Sequence, residues 1–103
     1  MGQFRLSNSS RLLNWKPYRI DDISYMVPTC RDEFKFVEGD RSMLIYAERV
    51  MSNPGRRVYL TSINKWLPPH ENDPVTPVDK HRIREKIRKY LEMRKISYEF
   101  IER

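Results

Sequence analysis

The sequence predicts an α+β fold, an antiparallel β-sheet of about five strands with one long C-terminal helix packed on one face and a final C-terminal strand. Three observations carry that reading. Residues 34–50 alternate apolar and polar side chains around Gly39-Asp40, residues 76–94 join a helix-start signal to apolar residues at helical spacing, and residues 96–101 return to a period of two.

The first thirty residues are the least regular. Asn8-Ser9-Ser10 reads as loop or cap material, Trp15-Lys16-Pro17-Tyr18 interrupts regular structure, and Ile23 to Val27 reads as a short strand ending before Pro28. Leu12, Leu13, Trp15, Tyr18 and Ile20 are too many apolar residues for a free tail. Residues 1–31 are therefore expected to pack on a core formed by residues 32–103, within a single domain spanning 1–103.

From Asp32 the pattern sharpens. Phe34 to Glu38 and Ser42 to Val50 form a hairpin closed by Gly39-Asp40, because glycine tolerates the positive φ of a two-residue loop. That turn sets Phe36 against Met43 and Phe34 against Ile45, on one apolar face with Ala47, and leaves Val37, Leu44, Tyr46 and Glu48 on the other. Ser52-Asn53-Pro54-Gly55 reads as a second turn and Arg56 to Ile63 as a third strand, in which Val58 and Leu60 alternate with Arg57, Tyr59 and Thr61. Thr76-Pro77-Val78-Asp79 then starts a helix: a hydroxyl for an orphan amide, proline at the first helical position, an acid in the first turn. Its stripe is Ile83, Ile87, Tyr90, Leu91 and Arg94, with Lys80, Arg84, Lys86, Arg88 and Lys95 largely away from it. Ile96, Tyr98 and Phe100 alternate with Ser97, Glu99 and Ile101 as the last strand, which could pair with a second copy if it lies at an unprotected edge.

Composition narrows the function classes. The chain of 103 residues carries a net charge of +6, and the excess sits in its C-terminal helix region, where 9 basic residues face 5 acidic ones from residue 76 onward. Such a helix suits a polyanion, an acidic protein surface, or simply solvent. Met1 to Ser10 lacks the apolar run of a secretion signal and no stretch approaches a membrane span, so a cytoplasmic protein is expected. The single cysteine, Cys30, has no partner for an internal disulfide and no sequence-local activator. His70 and His81 lack metal-ligand spacing, His70, Glu71 and Asp73 read as an exposed polar loop, and no glycine-rich phosphate loop exists. The expectation is a protein with no catalytic residues, no metal and no cofactor.

Binding is the better prospect. One helix covers one face of a sheet, so the other must meet solvent, the amino-terminal segment or a partner. Leu44, Tyr46, Arg57, Tyr59 and Thr61 are assigned to that second face, either as anchors for a partner or as a layer beneath Leu12, Leu13 or Trp15. Trp66, in Trp66-Leu67-Pro68-Pro69, either closes the core or joins those residues as a projecting hot spot.

These elements resemble one known family. Glu48 late in a strand pair, Val58-Tyr59 in the next strand, the Ser62-Ile63 pair, Trp66 followed by Pro68-Pro69, the polar turn Glu71-Asn72-Asp73 before Pro74-Val75, and Ile83 and Ile87 in the helix resemble the immunity protein 74 family of bacterial polymorphic-toxin systems, of the contact-dependent growth inhibition type. The resemblance runs from Asp32 to Glu102, and the first thirty residues have no counterpart in it. It implies an intracellular antidote that binds one cognate toxin domain, a nuclease in many such systems, and performs no reaction. Leu44, Tyr46, Arg57, Tyr59, Thr61 and Trp66 are the candidate toxin-binding residues. The alternative is a small basic nucleic-acid-binding module, with Arg82, Arg84, Lys86, Arg88 and Lys89 on phosphates and tyrosines stacking on bases.

Overall fold

The computed structural model describes residues 17–50 and 55–102. Its strands are β1 (Tyr18–Arg19), β2 (Ser24–Cys30), β3 (Glu33–Glu38), β4 (Arg41–Val50), β5 (Gly55–Tyr59) and β6 (Ser97–Ile101), in one six-stranded sheet ordered as in the chain. One α-helix, α1 (Pro77–Met93), is present among the described residues and links β5 to β6. The readings at Asn8 to Ser10, at Leu12, Leu13 and Trp15, and at Ser52 to Pro54 lie outside the described residues.

The hairpin has the expected register: Phe36 opposes Met43, Phe34 opposes Ile45, and Gly39 takes a φ of 62° in the turn. Strands β1 to β5 pair antiparallel, whereas β5 and β6 run parallel. A parallel neighbour requires a crossover, and the proline-rich segment with α1 supplies it. Met26, Phe34, Phe36, Met43, Ile45, Ala47 and Val58 from the sheet meet Ile83, Ile87, Tyr90 and Leu91 from the helix, all at most 1% exposed. The ring of Phe34 stands edge-on to Tyr90 at 5.4 Å.

Helix α1 begins where the sequence says. The Thr76 hydroxyl accepts from the Asp79 amide at 3.1 Å and the Asp79 carboxylate accepts from the Thr76 amide at 3.0 Å, closing a capping box.

Four local expectations are corrected. Strand β2 continues through Pro28 to Cys30, with an irregularity between those two residues that accommodates the missing proline amide. The third strand ends at Tyr59, and Leu60–Ser62 form a single 3₁₀ turn. Gly55 opens β5 opposite Ser97, where a Cβ would come within 2.5 Å of the Ser97 carbonyl oxygen, so close strand approach requires glycine there. Lys86 points inward: it lies three residues after Ile83 and four before Tyr90, on the flank of the apolar stripe.

The inward lysine joins a polar cluster at the helix–sheet seam. Glu38 is 6% exposed on the helix-facing side of β3. Arg82 approaches it side-on, Nε to Oε2 at 2.9 Å and Nη2 to Oε1 at 2.7 Å, while Lys86 Nζ donates to Oε2 at 2.8 Å and to the buried Ser24 hydroxyl at 2.7 Å. Arg82 also binds Asp79 at 2.7 Å, and Lys86 reaches Asp21 at 3.2 Å. Burial pushes the Glu38 carboxyl up, but hydrogen bonds and charge from Arg82 and Lys86 overcome it and leave the group below its ordinary value. The hydrogen bond from Arg82, with that from the Thr76 amide, lowers Asp79 to about 2.

Candidate functional site

The sheet face away from α1 is built by strand parity. Residues Leu44, Tyr46 and Glu48 of β4 and Arg57 and Tyr59 of β5 point to the side opposite the core. Leu44 is 39% and Tyr46 45% exposed, which for large apolar side chains in mid-strand marks a surface the chain leaves uncovered among the described residues.

Tyr46 and Tyr59 stack at 4.7 Å with their planes 19° apart. The Tyr59 hydroxyl donates to Glu48 at 2.8 Å, and Glu48 sits across the ladder from Arg57, whose guanidinium lies 3.6 Å from Glu99 of β6. Each ring is thus held before any partner arrives, so contact with it carries little loss of side-chain freedom. Desolvation, with the negative charge of Glu48 close by, pushes the Tyr46 hydroxyl up, and the phenol stays neutral at physiological pH.

Ser62 fixes this end of the site. Beyond Ala47–Val58 the β4–β5 ladder stops, and the Ser62 hydroxyl accepts from the Tyr46 amide at 3.0 Å while donating to the Tyr59 carbonyl at 2.6 Å. One side chain substitutes for the backbone pairing that the 3₁₀ turn removes. Ile63 next to it is 1% exposed in the core, so the Ser-Ile pair joins a ladder bridge to a core anchor.

The other candidates lie elsewhere. Thr61 is exposed in the 3₁₀ turn, off the strand whose parity assigned it to the face. Trp66 is 1% exposed and is core: the Leu67 amide docks on the Ser42 carbonyl at 2.8 Å, and the Arg41 guanidinium covers the indole at 4.4 Å. The Pro68–Pro69 peptide is cis. His70 contacts Asp73 at 3.2 Å and Asp40 at 3.7 Å, linking the crossing segment to the β3–β4 turn. Glu99 shares the Arg57 region, a position sequence parity alone does not reveal because it depends on β6 lying beside β5.

The helix cations are largely engaged within the chain. Arg82 and Lys86 bind Glu38, Arg88 binds Glu85 and the Tyr98 hydroxyl, and Arg84 lies over Phe100 at 5.3 Å.

The model of the family described as immunity protein 74 matches residues 27–101, three quarters of the chain and every strand from β3 to β6. This chain belongs to the immunity protein 74 family. No curated protein and no solved structure matches it. The immunity-protein match begins within β2 and takes in all of the open face, the Ser62 bridge, the buried Trp66 and the capped helix. No helix among the described residues of this immunity protein is long and apolar enough to cross a membrane.

Proposed function

We propose that this immunity protein neutralises one cognate toxin domain of a polymorphic, contact-dependent growth inhibition system by binding it in the cytoplasm. The toxin is a nuclease in this reading, and the antidote acts by occupancy, with no reaction of its own. The observation that carries the proposal is the stacked Tyr46–Tyr59 pair, in which exposed Tyr46 lies against half-buried Tyr59 near exposed Leu44 on a sheet face that α1 does not cover. Leu44, Tyr46, Arg57 and Tyr59 are the contact residues, Thr61 contributes at the margin, and Trp66 supports them from within the core. A standard interface buries about 800 Å² on each partner, with most of the energy in a few aromatic or arginine anchors.

The test is co-expression with the toxin domain encoded beside it, followed by purification of both. Growth rescue and a one-to-one complex that persists at moderate salt are the expected results. Absence of both complex and protection defeats the proposal, and toxin turnover that continues within a stable complex defeats its mechanism.

A further inference from the structure

A second surface lies at the opposite end of the sheet from the β3–β4 turn, where β4 ends, β5 begins and α1 terminates. A cavity of about 490 Å³ there is lined by Arg49, Arg56, Arg94 and Lys95, with Val50 and Ile96 as apolar wall, and among the described residues none that lines it is acidic. Like charge is concentrated: burial lowers the Arg56 guanidinium from its ordinary value, and Arg49 and Arg94 lower it further. Arg56 is held in place by donating to the Arg31 and Ala47 carbonyls and by lying over Phe34 at 4.8 Å, while Arg94 lies over Tyr18 at 4.1 Å. The carboxylate that acts on Arg56 is Asp32, which already accepts from the Arg49 amide at 2.9 Å.

The segments outside the described residues carry no Asp or Glu to supply a counter-charge. All 14 Asp and Glu residues fall within 21–50 and 55–102, so residues 1–16 and 51–54 contain none. Lys95 adds an independent sign. It adopts a φ of 57° just past the helix, where glycine is favoured, so the lysine occupies a backbone position that disfavours it.

We infer that this cavity receives the carboxylates of an acidic segment on a partner protein, and that the partner is the toxin domain itself. The identity of the partner rests on the proposed function; the chemistry of the cavity does not. Guanidinium forks match carboxylates in pairs, and four cations against one engaged carboxylate leave charge for an incoming anion. An adjoining cavity shares Val50, Gly55 and Arg56 with this one and extends to Arg57 and Glu99, so one partner can span both surfaces. A nucleic-acid backbone is disfavoured, because a phosphate track needs cations in series and Arg82, Lys86 and Arg88 on α1 are tied to Glu38 and Glu85.

Hexaglutamate is the probe, titrated into isotope-labelled protein at low salt and followed by amide NMR shifts. The expected result is shifts centred on Arg49, Arg56 and Lys95, and affinity reduced about tenfold in the Arg49→Glu/Lys95→Gly variant. Lys95→Gly alone weakens the probe while raising the urea midpoint, since glycine relieves the left-handed backbone, so weaker binding there is not misfolding. Shifts absent from the cavity, or tighter binding of hexathymidylate than of hexaglutamate, overturn the inference. With the toxin domain, the double variant should associate about tenfold more slowly. Equal association of variant and wild type overturns the inference and leaves the proposed function standing. If wild type binds no toxin, the proposed function fails and the hexaglutamate titration decides the cavity alone.

Discussion

A carboxylate at 6% exposure beneath a helix is tolerable only when both oxygens are occupied by charge-assisted donors, and Arg82 and Lys86 occupy both in Glu38. Removing it takes the buried partner from two cations, leaving Arg82 with Asp79 and Lys86 with Asp21 and the Ser24 hydroxyl. Glu38→Ala should therefore cost about 3 kcal/mol in urea unfolding, far more than an exposed ion pair. Acid should act on the same cluster. Glu38 and Asp79 both titrate below their ordinary values when folded, so their stabilisation is full above the unfolded carboxylate range, about pH 4, and is lost as pH falls through the lowered folded values, about 2 for Asp79. Stability followed from pH 6 to pH 2 should drop steeply in wild type, and Glu38→Gln should flatten that limb while lowering stability at pH 6. Half of this cluster is legible in the sequence. Strand parity from Phe34 and Phe36 puts Glu38 on the core side, and the capping signal places Asp79, but nothing local tells that Arg82 and Lys86, 44 and 48 residues away, complete the set.

Among the elements, the hairpin and helix are readable because their signals are local: a glycine turn with period-two flanks, and a cap with a 3.6-residue stripe. The parallel β5–β6 pair is not, since period two in residues 96–101 announces a strand without naming its neighbour. Nor does alternation at Val58 and Leu60 reveal that the chain turns after Tyr59, because Ser62 satisfies the Tyr46 amide by a side-chain bond that no periodicity records. The two described glycines of the meander separate these causes. Gly39 needs its positive φ, and an added Cβ would meet nothing within 4 Å, so Gly39→Ala should cost about 1 kcal/mol through backbone strain alone. Gly55 needs space, and Gly55→Ala should cost about 1–3 kcal/mol by forcing β5 from the Ser97 backbone. Thermal or urea unfolding of the two variants checks the order. Thr76→Ala removes half of the capping box and should cost about 1 kcal/mol, read as lost stability and as faster amide exchange in the first turn of α1.

At the scale of the whole molecule, one face of the sheet is closed by α1 and the other carries the tyrosine pair, so the core and the proposed contact surface occupy opposite sides of the same strands. Parity brings Leu44, Tyr46, Arg57 and Tyr59 together from sequence; it misplaces Thr61, which lies beyond the end of the strand, and cannot decide the side of Trp66, whose docking on β4 is tertiary. That arrangement makes the proposed contact residues separable from the core. Tyr46→Ala removes a ring that is 45% exposed, so unfolding should change by no more than about 1 kcal/mol, while toxin affinity should fall by about 2 kcal/mol, mostly through faster dissociation. Because Tyr46 and Tyr59 stack at 4.7 Å, their effects on binding should not add. A double-mutant cycle with Tyr59→Ala should return a coupling of about 0.5–1.5 kcal/mol, since the second truncation removes a ring already deprived of its neighbour. Strict additivity would mean that the rings meet the toxin independently, and unchanged affinity in both single variants would move the contact surface off this face altogether.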